Sequence, residues 1–548
     1  MRDRPISRRG FLVLFAGVAA AACAPSAPPA PAKPTAPAAP ASSPAAAAAP
    51  TTPPGAAAPA QAAGGGKPFT IVDGTEPNSL DPPVGTGPFG HPIRAIFESL
   101  VTFNTRMEPI PQLATSWDST PDLKTWTFKL RPGVKFHDGT PFNSEAVKFS
   151  IMRISDPEVL SNRRANYALI QEIQTPDPQT AVFVLNSPSP DVPALLGDRS
   201  AAMVSPAAVQ KAGNKEFGRQ PVGTGQFVFK EWTPKTRIQL APNPDYWGPK
   251  SKVSGFIYRP IPEGAARVAA LRTGEADIVM KLPPEDLDAL KGDQNLIIAV
   301  QPSLTQVCCH WRVGKPPFGD VRVRKAASLA IDRDAIVKNV LAGVAAVPRG
   351  PAPPALAGAA TLDPIPYDVE AAKRLMAEAG FSGGFSGEFS YVSGRWPKDD
   401  QVAEVLVSYL GKVGIKLNIR KIEQAELDNL LTQDPDTGNS DIVMPIRTSQ
   451  YLDYHLYRLY DSVATKAQAA QRTGYGNPEV DRLLEEARKT ADPATRNPLY
   501  QQAEKLIWDD FALLWVIDLS SVVGSRKGVT GWEYLPLDEI VVTNVEKA

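Results

Sequence analysis

Gly85-Thr86-Gly87-Pro88-Phe89-Gly90 spells the G-x-G-x-x-G of dinucleotide-binding loops, and Gly380-Phe381-Ser382-Gly383-Gly384 spells the G-x-S-x-G of serine hydrolases. Each chemistry needs a setting. The first requires a strand before the loop, a helix N-terminus after it to receive the pyrophosphate, and an acid about 20 residues on. Here the loop follows the Pro82-Pro83 turn and carries a proline of its own. The second requires a strand feeding the serine and a helix leaving it. Here a helical pattern (367–379) comes first and a strand pattern (387–392) second, so the glycines read as a helix end followed by a flexible loop. The four histidines are scattered at 91, 137, 310 and 455, and three cysteines cannot build a disulfide framework or a Cys-rich zinc site. Cys308 and Cys309 point to opposite faces of a regular strand, which argues for apolar packing over joint chelation. His137, beside Asp138-Gly139, reads as a turn-stabilising side chain. Asp399-Asp400 and Asp509-Asp510 read as helix-end charges. This inventory requires no catalytic residue, no metal and no cofactor. A secreted hydrolase using Ser382 or a carboxylate pair is the enzymatic alternative.

The elements that must position any site are those of a globular α/β protein. Of 548 residues, 43% are hydrophobic and 21% charged, which excludes wholesale disorder. Lys+Arg 58 against Asp+Glu 58 leaves no net charge, so no basic face marks a nucleic-acid binder. Thr70-Ile71-Val72 begins a strand ending in a breaker-rich turn at 78–83. Trp126-Thr127-Phe128-Lys129-Leu130 alternates as a half-buried strand does, and further strands are predicted at 180–185, 226–231 and 236–240. Helices are predicted at 92–100, 321–342, 367–379, 399–412, 478–490 and 493–509, with strands at 387–392, 415–422 and 513–517 between the later ones. Alternation of this kind indicates an α/β fold.

Residues 1–66 stand apart. A basic start is followed by an apolar run from Phe11 to Ala22, too short for a spanning helix, and small residues close it, which describes an export signal. Ser7-Arg8-Arg9-Gly10-Phe11-Leu12 resembles the twin-arginine export motif, with ordinary Sec export as the alternative. Ala20-Ala21-Ala22-Cys23 resembles a lipobox, making Cys23 the lipidation candidate. Residues 24–66 hold 19 Ala and 12 Pro with one charge, Lys33. Such a stretch cannot bury a core and would tether, spanning roughly 35 Å as a coil and up to about 130 Å as a polyproline rod. The remaining residues carry 53 basic against 57 acidic side chains. The expected location is extracytoplasmic, as a membrane-anchored lipoprotein in the periplasm or on the outer face of the cytoplasmic membrane.

Across the body, a series of segments resembles the extracytoplasmic solute-binding proteins of peptide/nickel-type ABC importers, the dipeptide- and oligopeptide-binding family (family 5). The strongest is Trp126-Thr-Phe-Lys-Leu-Arg-Pro-Gly-Val-Lys-Phe-His-Asp-Gly-Thr-Pro-Phe-Asn143, accompanied by Ser79-Leu-Asp-Pro82, Phe97-Glu-Ser-Leu-Val101 and Pro111-Gln-Leu-Ala-Thr-Ser-Trp117. Pro221-Val-Gly-Thr-Gly-Gln-Phe227, Asn243-Pro-Asp-Tyr-Trp247, Ala330-Ile-Asp-Arg333, Glu378-Ala-Gly380 and Tyr475-Gly-Asn-Pro-Glu-Val-Asp481 follow in family order. The resemblance implies a two-lobed periplasmic-binding-protein-like fold (type II, venus-flytrap) with an extra domain inserted in the first lobe. On that basis 1–23 is the export signal, 24–66 the tether, 67–101 the first part of lobe I and 102–219 the inserted domain. Residues 220–302 continue lobe I, 303–515 form lobe II, and 516–548 return to lobe I.

The resemblance also implies a function without catalysis: cleft closure around a peptide or peptide-sized solute, then delivery to an ABC permease and its ATPase by a tethered, monomeric protein. The loop after Ser79-Leu-Asp-Pro82 would face the cleft, placing Thr86, Gly87 and Phe89 on its wall, with glycine amides close to the ligand. Peptide binders of the family carry a lobe II aspartate for the peptide ammonium. Aligning Tyr451 and Asp453 with the family's tyrosine and later aspartate puts Gln450 at that position and Arg447 in place of a tryptophan. A neutral Gln450 forgoes a charge-assisted bond, Arg447 favours a carboxylate or phosphate, and Asp453 is the alternative anchor. Trp311 and Tyr454 would add aromatic contact. A non-peptide solute (a metal chelate, sugar or anion) or a sensing role is the alternative within binding proteins.

Overall fold

The computed structural model describes residues 67–85, 90–161, 163–314, 316–433, 442–467 and 473–548. Cys23, the export and tether segments, and Thr86, Gly87 and Phe89 of the candidate wall lie outside them. Phe69–Asp73 (β1) is buried along its whole length, as a strand covered on both faces must be. Helix Gly90–Ile96 (α1) follows. A four-stranded antiparallel sheet then forms from Ala114–Ser119 (β2), Thr125–Leu130 (β3), Ile170–Asp177 (β4) and Thr180–Leu185 (β5), in the order β2-β3-β5-β4. Trp126, Phe128 and Leu130 alternate into its core, where Phe128 meets Phe183 edge-on at 5.3 Å. Asn143 caps the covering helix Ser144–Ile154 (α2) through the amide of Ala146, 3.0 Å away. This is the inserted domain, with a hydrophobic core of its own.

The chain rejoins the main sheet through Phe227–Thr233 (β6), Arg237–Pro242 (β7), Phe256–Pro260 (β8) and Ile278–Val279 (β9). Leu296–Trp311 (β10) is 16 residues long. In the other half of the sheet lie Phe385–Tyr391 (β11), Ile415–Lys421 (β12) and Ile442–Met444 (β13), flanked by helices Val369–Glu378 (α3) and Asp399–Gly411 (α4). Ile446–Thr448 (β14) leads into Leu452–Tyr460 (α5), and Pro478–Ala487 (α6) and Pro493–Asp509 (α7) precede the long strand Leu514–Arg526 (β15).

Two strands tie the halves together. β10 and β15 run antiparallel for most of their length, Leu296 opposite Arg526 at one end and Cys309 opposite Leu514 at the other, and the register slips between Pro302 and Gln306. On one side of the slip the sheet continues as β9-β1-β8-β7-β6 and on the other as β13-β11-β12. The slip is a bulge-like irregularity at a proline that has no amide to donate, so the ladder is interrupted there, and a second shift falls between Val307 and Cys308.

Several scattered sequence segments meet at one carboxylate. Glu98 is buried and accepts hydrogen bonds from Thr224 Oγ1 (2.9 Å), Tyr246 Oη (2.8 Å) and Trp247 Nε1 (2.9 Å). Burial nevertheless pushes its pKa up to about 7. Asp81 likewise joins the 79–82 turn to α2 through a bidentate pair with Arg153, at 2.8 and 2.6 Å. The predicted continuous helix at 321–342 is broken instead. An α-helix ends at Leu329, Asp332 caps a new turn through the amide of Ala335 (2.9 Å), and 336–340 widens into a π-turn. Arg333, buried at the break, donates to the carbonyls of Trp515 (2.8 Å) and Ser328 (2.9 Å).

Candidate functional site

A cavity of about 780 Å³ lies beside the strand crossing. The inserted domain contributes Trp117, Trp126, Asp191 and Pro193 to its wall, Pro302 and Pro536 border it near the crossing, and the 354–359 loop with Arg496 and Asn497 closes the side facing lobe II. The volume falls in the range of small-molecule sites, and the wall is mostly apolar with a few charged groups, as in such sites generally. Gly358 has φ +84°, and a Cβ there would approach Asn497 to 2.9 Å, so glycine sets how closely the loop packs on α7. Glu504 of α7 is fully buried and accepts the amide of Ala360 at 2.7 Å, which fastens the far end of the same loop. Desolvation pushes its pKa up to about 8.

None of the lobe II candidates Arg447, Gln450, Tyr451 and Asp453 lines this cavity. Arg447 is buried on β14, its guanidinium donating to the ring of His310, and its Nε has no hydrogen-bond partner. Burial and the neighbouring charges of Arg447 and Arg312 hold His310 well below its ordinary pKa, so it is neutral and can accept from Arg447. Gln450 is half-buried with Oε1 unpartnered. Tyr451 stands at the N-cap of α5 and packs on Tyr454, with ring centroids 5.5 Å apart. Asp453, in the first turn of α5, is already engaged: Tyr500 Oη donates to it at 2.9 Å and Arg488 lies 3.2 Å away. Tyr454 reaches the inserted domain, its hydroxyl 3.3 Å from Asn166 Oδ1.

The other chemistry-bearing residues lie in the core or in turns and loops. Cys308 and Cys309 are both fully buried, and burial raises both thiols above their ordinary pKa. Trp311 stacks on Phe318 at 5.4 Å and donates to the carbonyl of Ala512, inside the lobe II core. His137 contacts the carbonyl of Gly225 at 2.9 Å, joining its turn to the 221–227 segment. Asp510 receives Tyr475 Oη and Asn477 Nδ2, both at 2.8 Å. Gly380 ends a helix with φ +85°, so Ser382 sits in the loop between α3 and β11. Among the described residues, no cluster of three His, Cys, Asp or Glu side chains could hold a metal, and no helix is long and apolar enough to cross a membrane.

Sequence reasoning did not single out Asp191, Arg496 or the 354–359 loop. Asp191 precedes a four-residue helical turn and carries no motif, and Trp117 and Trp126 read from the sequence as scaffold. The only available signal was compositional: Pro353-Pro354-Ala355-Leu356-Ala357-Gly358-Ala359 is a run of small residues and prolines in a helix-rich region.

Two lobes joined by a pair of shared strands, with a domain inserted in the first and a ligand-sized cavity beside the crossing, define the type II periplasmic-binding-protein architecture. The family model described as bacterial extracellular solute-binding proteins, family 5 Middle, matches residues 108–466. The chain belongs to this family. It is 31% identical over 448 residues to the glutathione-binding protein GsiB of Escherichia coli (strain K12), covering 81% of this chain and 87% of that protein. The solved structure of the periplasmic binding protein DppA from Helicobacter pylori, in complex with the peptide STSA, is similar at 27% identity and a TM-score of 0.73, over 88% of this chain and 98% of that one. A dipeptide-binding protein from Pseudoalteromonas sp. SM9913, in complex with Met-Leu, aligns at 25% identity and a TM-score of 0.70, over 88% and 100% of the two chains.

Proposed function

We propose that this protein captures a peptide or peptide-sized solute between its lobes and delivers it to an ABC permease and its ATPase, acting by closure and not by catalysis. The observation that carries this reading is the cavity of about 780 Å³ bordered by the inserted domain, the strand crossing and the 354–359 loop. A solute there touches both sides at once, so its binding energy favours the closed arrangement, which is what a transporter partner can distinguish from the open one. Peptide ligands in two similar structures, and the glutathione named for the curated relatives, support the solute class.

In this reading residues 67–101, 220–302 and 516–548 move as lobe I, carrying the 102–219 insert, and 303–515 move as lobe II. The chain is exported, lipidated at Cys23 and held to the membrane by the 24–66 tether as a monomer. Native mass spectrometry of the protein purified gently from its producing cells tests the solute class. A ladder of adducts at peptide masses is the expected result. A single non-peptide adduct would replace the peptide reading with a chelate, sugar or anion carrier.

A further inference from the structure

The charged groups around the cavity fall into two kinds. Arg106 and Glu108 pair with each other at 2.8 Å, both largely exposed. Water screens such a pair, and it carries little recognition energy. Asp191 is only 8% exposed, lines the same cavity, and is incompletely satisfied. Its Oδ1 lies 3.5 Å from Arg496 across the gap between the inserted domain and lobe II, while its Oδ2 has no hydrogen-bond partner.

The groups facing Asp191 are Arg496 from α7, Asp453 and Tyr451 from α5, Arg488 from the end of α6, and Tyr500 from α7. Arg488 is committed elsewhere. It stands 3.2 Å from Asp453 and 3.7 Å over the ring of Tyr457. A buried carboxylate with one long ion pair, a hydrogen bond from the Asp453 backbone amide and one oxygen without a partner bears a desolvation cost that a second cationic donor would offset. The cavity is where such a donor can come from. Asp453, the lobe II carboxylate, already holds a tyrosine hydroxyl and an arginine and does not line the cavity.

We propose that Asp191 is the anchor for the cationic end of the solute, taking a primary ammonium group on its carboxylate, so that the charge is read from the inserted-domain side of the cavity and not from the lobe II aspartate. This rests on the cavity being the solute site. It restricts the solutes to those with a free amino group.

The test offers the full mature protein, stripped of co-purified solute, a dipeptide mixture with free N termini and the same mixture N-acetylated, and follows retention by native mass spectrometry. The wild type retains the free-amine mixture about tenfold better than the acetylated one, the effect of one charge-assisted contact. Asp191→Asn loses that preference, and Asp191→Glu keeps it. Retention by the wild type also falls about fivefold between pH 7 and pH 5, because burial has raised Asp191 to a pKa of about 6 and the protonated acid no longer attracts an ammonium. Asp191→Asn lacks this step, which a purely structural role would not remove. Retention of dipeptides with undiminished preference in Asp191→Asn overturns the anchor and leaves the peptide-capture reading standing. Retention of neither mixture by the wild type overturns both.

Discussion

Gln306 and Asp518 face each other across the two strands that pass between the lobes, with Gln306 Nε2 donating to Asp518 Oδ1 at 2.8 Å where the register slips. Both side chains are buried, and desolvation pushes Asp518 to a pKa of about 7, outweighing the hydrogen bond from Gln306. The acid form is therefore the one the fold prefers. Its contribution to stability is fully present below the unfolded-state pKa and is lost as pH rises through about 7. Asp518→Asn, which keeps the shape and cannot ionise, is expected to be more stable than the wild type above neutrality, by on the order of 2 kcal/mol, with the difference vanishing near pH 4. Urea melts of both proteins across that range check this. A variant that is less stable at alkaline pH would show that the ionised carboxylate supports the crossing.

Glu98 gathers Thr224, Tyr246 and Trp247 from two distant segments. Glu98→Ala leaves the buried Thr224 and Tyr246 donors and the partly buried Trp247 donor without an acceptor and is expected to cost about 3 kcal/mol. Glu98→Gln retains an oxygen but turns an amide NH₂ toward donors, and is expected to cost about 1–2 kcal/mol. Chemical denaturation resolves both. Losses below about 0.5 kcal/mol would mean that the three donors find other partners.

Glu504 bears on the cavity wall more than on global stability. With its carboxyl removed in Glu504→Ala, the amide of Ala360 loses its acceptor. Backbone amides at 350–362 should then exchange with deuterium faster than in the wild type, while those of the four-stranded sheet keep their protection. Uniformly faster exchange across the chain would indicate general destabilisation instead of a loosened wall.

Cys23 tests the tether. In Cys23→Ala, expressed in the producing cells, the protein is expected to shift from the membrane to the soluble extracytoplasmic fraction while its folded body still binds solute. Retention in the membrane fraction would assign the anchoring to the apolar run at 11–22.

The sequence made some of this visible. The Trp126–Asn143 segment and its fellow motifs were sufficient to recognise the family, and the structure supplies a reason for their spacing: Glu98, Thr224, Tyr246 and Trp247 form one hydrogen-bonded cluster, so each is tied to partners that are far away in sequence. The long strand was legible only in part. The apolar 513–517 run marks its lobe II half, but Asp518 to Arg526 mixes polar and small residues with no strand-like alternation, although that half pairs with β9 and β10. The helical period of 321–342 concealed a break, since Asp332 offers a cap that a periodicity argument does not register. Asp191 was the least legible. Nothing local distinguishes it from any surface aspartate, and its burial depends on Arg496, Asp453 and Tyr451, which lie more than 250 residues away and meet it only in the folded protein.

Closure around a solute is the central claim, and small-angle X-ray scattering of the protein with and without a saturating peptide identified by native mass spectrometry tests it most directly. The radius of gyration is expected to fall on saturation, and to fall less in a variant whose cavity is blocked by Ala357→Trp. An unchanged radius in a sample shown to be saturated would contradict capture by closure.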